Sequence, residues 1–176
     1  MEFYKTWFCK LCFVLLKWHQ WKARNSGMTK DILIALKGIQ FEGGGGASEE
    51  MEVFTPGEYF FTNDIHYLLY EETDENGNET SSRIKIKKDV VELTKKGDVN
   101  VHMIFEAGKK NLTNYQTAYG TLALGLYTNE ISFEEERDCL RLKIKYQLEI
   151  NYMPMAECEI TLEAASKEKG SALFRS

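Results

Sequence analysis

Between Leu140 and Ala164 the chain alternates with a period of two, and that restricts what it can fold into more than any other feature. Leu140, Leu142, Ile144, Tyr146, Leu148 and Ile150 alternate without a fault against Arg141, Lys143, Lys145, Gln147, Glu149 and Asn151. Ala156, Cys158, Ile160, Leu162 and Ala164 repeat the pattern against Glu157, Glu159, Thr161 and Glu163. A helix turns its apolar face every three to four residues. A period of two puts apolar side chains on one side of an extended strand and charges on the other. The short connection makes the two strands antiparallel neighbours. Both apolar sets are even-numbered, so facing residues have numbers with an even sum, which predicts a connection of odd length around Tyr152 to Pro154. Lys143 and Lys145 then share the polar face with Glu157 to Glu163, where opposite charges help to set the register.

The rest of the chain reads in the same way. Ile32, Ile34 and Leu36 alternate in a first strand, and Gly43 to Gly46 form a flexible connection. Met51 and Val53 belong to a second strand, expected to stop at Pro56-Gly57. Tyr59-Phe60-Phe61 and the run from Ile65 to Tyr70 flank Asn63-Asp64, a hairpin signal. Asn76-Gly77 centres another turn, Ile84 and Ile86 alternate with basic residues, and Val91 and Leu93 lead into a turn at Lys95-Lys96-Gly97. Val99, Val101, Met103 and Phe105 are apolar on odd numbers, Leu122, Leu124 and Leu126 on even ones. This makes roughly ten strands and no helix. So many meandering strands must close on themselves, because long open edges invite aggregation, and a single closed antiparallel barrel is the simplest solution. The barrel is expected over residues 28–166, with 167–176 a flexible tail.

Residues 1–27 look foreign to this pattern. They carry Lys5, Lys10, Lys17, Lys22 and Arg24 against Glu2, and all three tryptophans, Trp7, Trp18 and Trp21. The apolar run from Leu11 to Leu16 is far short of the roughly 20 residues of a membrane span, and no cleavage signal accompanies it. An upstream extension of the reading frame, with Met28 as initiator, is expected over a basic amphipathic anchor. The remainder holds 17 basic and 26 acidic residues, a net charge of −9. That charge argues against nucleic acid and against an anionic membrane surface as partners. Four cysteines in 176 residues are too few for a secreted disulfide scaffold, so a reducing, cytoplasmic setting is expected.

Motifs that could carry chemistry are incomplete. Cys9-x-x-Cys12 with His19 lacks a fourth ligand, so no metal is expected. His102 shares parity with Asn100 and Glu106 and belongs to the polar face. No serine or cysteine has a nucleophile-elbow context, and Cys158 reads as a buried, inert thiol. The tetraglycine matches no phosphate-binding loop, so no cofactor is expected. Glu71-Glu72 and Glu134 to Glu136 read as a solvated rim.

Two stretches carry a resemblance. Thr55-Pro-Gly-Glu-Tyr-Phe-Phe, followed by Tyr67-Leu-Leu-Tyr70-Glu-Glu72, resembles the opening hairpin of the YwiB-like family, small bacterial proteins classed as a domain of unknown function. Gly97-x5-Met103-x-Phe105, then Tyr115-x-Thr117-x-Tyr119-Gly120 and Thr128, is similar to its second signature. The resemblance spans about Lys30 to Ala165. Where the family often shows Arg before the glycine at Gly97, this chain has Lys95-Lys96. The resemblance implies a calycin-like, lipocalin-like β-barrel of about eight to ten strands and no established activity. Such barrels commonly enclose one small apolar ligand.

A non-catalytic module binding a small apolar ligand is therefore expected, with Tyr70, Glu72, Arg83, Tyr119 and Tyr146 as candidate lining. The competing structural reading has the tyrosine hydroxyls satisfied at the rim and Glu72 paired with Arg83 across a hairpin. An enzyme using Glu72 as general acid or base and an oligomerisation module, monomer or homodimer, are the alternatives.

Overall fold

The computed structural model describes residues 31–42, 49–73, 77–97, 100–117 and 120–173. The N-terminal segment with its Cys9/Cys12/His19 set, the tetraglycine and Tyr119 lie outside the described residues. Ten strands follow one another: β1 (Asp31–Glu42), β2 (Glu49–Thr62), β3 (Ile65–Thr73), β4 (Glu79–Lys87), β5 (Val90–Lys96), β6 (Val101–Glu106), β7 (Lys110–Thr117), β8 (Gly120–Glu136), β9 (Cys139–Ile150) and β10 (Met153–Ser166). All ladders are antiparallel. β1 pairs with β2 on one side and with β10 on the other, so the sheet runs 6-5-4-3-2-1-10-9-8-7. The sheet curls into a nearly closed all-β barrel in which β6 comes against β7 and β8 without a ladder.

The alternation reads out as expected. Ile32, Ile34, Leu68, Ile86, Leu126, Leu140, Ile144 and Leu162 point inward and are at most 2% exposed. Each such side chain contributes about 1.5–3 kcal/mol by leaving water. On the outer wall Lys143 meets Glu159, Lys145 meets Glu130 and Arg141 meets Glu136 and Glu163. Exposed pairs of this kind are worth about 0–1 kcal/mol, so the inward residues stabilise the barrel and the charges only help to align it.

Four details differ from the sequence expectations. First, β2 runs straight through Pro56-Gly57. Pro56 faces Leu33 of β1 just beyond the end of the β2–β3 ladder, where no strand on that side requires its missing N–H. Second, the β9–β10 connection is a two-residue turn, Asn151-Tyr152, with positive φ at both residues (51° and 67°), as a type I′ turn requires. The parity mismatch is absorbed at Met155, which bulges out between Pro154, paired with Glu149, and Ala156, paired with Leu148.

Third, the barrel does not zip shut. After β6 the chain turns at Gly108 and is captured by β8 rather than folding back on β6. Gly108 N donates to Thr128 O at 2.8 Å, and Thr128 N donates to Lys109 O at 3.0 Å. Fourth, Lys167–Leu173, expected within a flexible tail, form a short helix, α1, against β1 and β10. Ser166 starts it: the Ser166 hydroxyl accepts from Lys169 N at 3.4 Å, and Glu168 lies in the first turn.

The meander sorts the barrel into two ends. The C-terminal ends of β1, β3, β5, β7 and β9 share one rim, called the upper rim here. Those of the even-numbered strands, with α1, share the lower rim.

Candidate functional site

The inward face changes character along the barrel. Toward the lower rim it is apolar and aromatic. His66 is buried there, its ring 4.6 Å from Phe61 and 4.9 Å from Phe133, with Tyr59 Oη 3.0 Å from its Nδ1. Burial lowers its basicity, against a weaker opposing pull from Glu135. Toward the upper rim the same inward parity carries polar groups: Tyr70 and Glu72 on β3, Thr80 and Ser82 on β4, Lys95 on β5 and Thr113 on β7.

Tyr70 is 4% exposed and faces Ser82 in register. Burial, with the Glu72 carboxylate beside it, holds its phenol well above the ordinary tyrosine range, and Ser82 works weakly the other way. The Tyr70 and Ser82 hydroxyls nevertheless lack a hydrogen bond of normal geometry among the described residues, as do Thr128 Oγ1 and Asn111 Nδ2. Thr62 Oγ1, at the lower-rim end of β2, is a fifth such atom, so these groups are spread along the barrel and only Tyr70 and Ser82 adjoin one another. Tyr70 owes its position to Gly57, directly opposite on β2. A Cβ there would sit 2.7 Å from Leu69 O and 2.7 Å from Ile34 Cδ1. The Pro-Gly pair, expected to end a strand, gives this aromatic ring its room.

The expected site residues separate. Tyr70 and Glu72 share the upper-rim cluster. Tyr146 is inward on β9, edge-on to Phe105 at 5.1 Å and opposite Cys158; burial first, then that thiol, raises its phenol. Arg83 does not join them. The β3–β4 register pairs Leu69 with Arg83 and Glu72 with Thr80, so Glu72 points in and Arg83 points out to solvent. The expected Glu72–Arg83 ion pair is therefore absent, because the two positions have opposite parity. Glu72 pairs instead with Lys95 Nζ, at 3.3 Å and 3.4 Å to its two oxygens.

Neither buried thiol is poised as a nucleophile. Burial and the hydrogen bond to Glu163 at 3.3 Å push Cys139 up to about 11, and burial raises Cys158. Among the described residues no three His, Cys, Asp or Glu side chains converge as a metal site.

At the seam between β6 and β7 the wall opens into a cleft of about 320 Å³. Thr94, Lys95 and Lys96 of β5 and Val101 and His102 of β6 line one side, and Thr113, Asn114 and Gln116 of β7 line the other. Lys95, Val101 and Thr113 point inward and their neighbours outward. The cleft lies at the upper-rim end of the seam, where the end of β5, the start of β6 and the C-terminal half of β7 come together beside Lys95. A second recess, about 370 Å³, lies on the outer wall among Lys37, Glu52, Glu134, Arg141, Lys143 and Glu163, with charges of both signs.

Sequence reasoning missed Ser82, Lys95 and Thr113 as site residues. For the first two a signal existed: Ser82 shares parity with Ile84 and Ile86, and Lys95 with Val91 and Leu93, which marks polar residues on the inward face. β7 offered none, because its inward residues Asn111, Thr113 and Tyr115 are polar while Leu112 points to solvent.

Comparison with known proteins agrees with this architecture. No curated protein matches the chain. Among solved structures it is similar to the crystal structure of the ywiB protein from Bacillus subtilis, with 21% identity and a TM-score of 0.65 over 80% of this chain and 95% of that one. At that identity the likeness speaks for the fold alone. A family model described as a domain of unknown function, DUF1934, matches residues 34–162, most of the chain. With the barrel, its register and that match in agreement, the chain belongs to the DUF1934 family.

Proposed function

We propose that this protein is a non-catalytic binding module for a small molecule, seated at the β6–β7 seam and the upper-rim interior behind it. The observation that carries the reading is the cleft itself. It opens beside Lys95, whose register partner Ser82 and the adjoining Tyr70 carry buried hydroxyls without a hydrogen bond of normal geometry among the described residues. Its size lies at the low end of small-molecule sites, about 300–1,000 Å³. The middle of the barrel is filled by its own side chains, Phe105 against Tyr146 among them, so a ligand belongs at the seam and not at the centre. Val101 supplies an apolar contact in the lining, with Leu93 and Met103 packed on the core next to it along β5 and β6. This keeps a role for an apolar ligand part, for Tyr70 and Glu72 as neighbours of the site, and for Tyr146 as packing.

Catalysis by Glu72 gains little support, because its carboxylate is engaged by Lys95 and neither buried thiol is an activated nucleophile. Fold likeness adds nothing to the choice, since barrels of one shape serve unrelated functions.

Native mass spectrometry of the purified chain is expected to show a retained small-molecule adduct, and Nile red to bind saturably with enhanced fluorescence. A bare polypeptide mass together with no saturable probe binding would remove the reading. A second reading, self-association, is favoured by the exposed apolar side chains Phe41, Met51, Tyr152, Met153 and Met155 where β1 ends and β10 begins. Light scattering over a concentration series decides it; a strictly monomeric species at every concentration counts against it.

A further inference from the structure

We propose that the seam cleft is an anion site that holds the phosphate group of a small phosphorylated molecule. This rests on the binding-module reading above and names the chemistry of its ligand. The protein is acidic overall, yet among the described residues every ionisable side chain lining the cleft is a base: Lys95, Lys96 and His102. The remaining polar lining consists of hydroxyls and amides, including Thr94, Thr113 and Asn114.

The carboxylates behind these bases take up part of their charge. Glu72 pairs with Lys95, at 3.3 Å and 3.4 Å to its two oxygens. Glu92 lies 3.4 Å from His102 Nε2, but its other oxygen is held by Lys85 at 2.6 Å. Glu72 thus pairs with Lys95, and Glu92 with Lys85 and His102, so the uncompensated charge of the described lining rests on Lys96. Among the described residues Lys96 has no acidic partner.

The donor set favours phosphate over carboxylate. A planar carboxylate is matched best by the fork of an arginine, and no arginine lines the cleft. Lysine ammonium groups act as point charges. Approaching from one wall, with threonine hydroxyls on both sides, they suit a tetrahedral group that accepts bonds from several directions. The protein's net negative charge does not oppose this, because at physiological ionic strength fields are screened beyond about 8 Å and the local lysines dominate. A long polyanion would still meet the acidic walls, whereas one phosphate on a small molecule would not.

Inorganic phosphate, titrated into the isotope-labelled full chain at low ionic strength, is expected to shift the backbone amides of residues 94–96, 100–102 and 113–116 saturably, with acetate much weaker. Lys96→Gln should weaken phosphate by about tenfold, the loss of one charge-assisted contact, with Tm unchanged. Lys87→Gln, on an exposed lysine at the other rim, should leave affinity as it is. Shifts equally large with chloride at matched ionic strength, shifts absent from the seam, or an unaffected Lys96→Gln variant overturn the proposal. If phosphate fails while the neutral probe Nile red still binds, the phosphate assignment falls and the binding module stands. Failure of both removes both.

Discussion

Individual residues show where the barrel tolerates no change. Gly57 sits under Tyr70, and an added methyl would press on the Leu69 carbonyl, a backbone atom that cannot swing away. Gly57→Ala is therefore expected to cost about 1–3 kcal/mol, which for a domain of this size lowers Tm by roughly 3–10 °C. Gly38 is the control. Nothing lies within 4 Å of an added Cβ there, so Gly38→Ala should leave the melting curve in place or raise it slightly. His66 makes a second residue-level prediction. Its basicity is lowered in the folded state, so the unfolded chain takes up the proton first. Stability is then complete above the unfolded value of about 6.5 and declines as the pH falls below it, by up to about 1.4 kcal/mol per pH unit. Urea midpoints between pH 7.5 and 5.5 should show this slope in the parent and a flatter one in His66→Phe; parallel profiles would remove His66 as the cause. The substitution itself should cost about 1 kcal/mol at neutral pH, through the lost bond to Tyr59.

At the scale of elements, two bulges reconcile the hydrophobic pattern with the turns available to it. In β8 the inward parity is even through Leu124, Leu126 and Thr128. It becomes odd at Ile131 and Phe133, because Asn129 is left unpaired between Thr128, opposite Tyr146, and Glu130, opposite Lys145. In β10 the extra residue is Met155, half exposed. Removing Met155 would place Ala156 directly after Pro154, still opposite Leu148, with every later inward residue unchanged. The Met155 deletion should therefore fold, with Tm lowered by only a few degrees. Deleting Thr161 instead should abolish cooperative unfolding, because it turns Ile160 or Leu162 and their neighbours to the wrong face. Circular dichroism melts of the two deletions distinguish a bulge from a regular strand position. α1 belongs to the same scale. Seven residues are too few to hold a helix in water, so it persists through its Ser166 cap, the Lys169–Glu136 pair at 3.1 Å and its docking on β1 and β10.

For the whole molecule, the decisive property is that the barrel closes by contact and not by a ladder. β6 and β7 present edges to each other, while β1, β9 and β10 are paired on both sides. Hydrogen exchange should follow that order: amides of β6 and β7 exchange first, and those of β1, β9 and β10 persist close to the global unfolding free energy. Uniform protection across all ten strands would mean that the seam is zipped in solution, and the seam cleft would go with it. Along the barrel axis the interior runs from an aromatic end near His66 to a polar end near Tyr70, Glu72 and Lys95.

The approximate number of strands, the inward faces of most of them, the burial of Cys158 and the charged outer wall were legible in the linear order of residues, whereas β7 was not. Period-two alternation is a local property, and a strand carries it wherever it goes. The YwiB-like likeness was legible too, in stretches such as Thr55 to Phe61. Pairing was legible for the β9–β10 hairpin and the hairpin about Asn63-Asp64, but not between Glu72 and its partner. Whether Glu72 meets Arg83 or Lys95 depends on the parity that the β3–β4 and β4–β5 registers impose, and those registers depend on turns and bulges at a distance. The seam depended on tertiary structure most of all. It exists because the curvature of ten strands brings β6 beside β7 just as the chain after Gly108 is captured by β8, an outcome of closing the whole sheet that no short segment encodes.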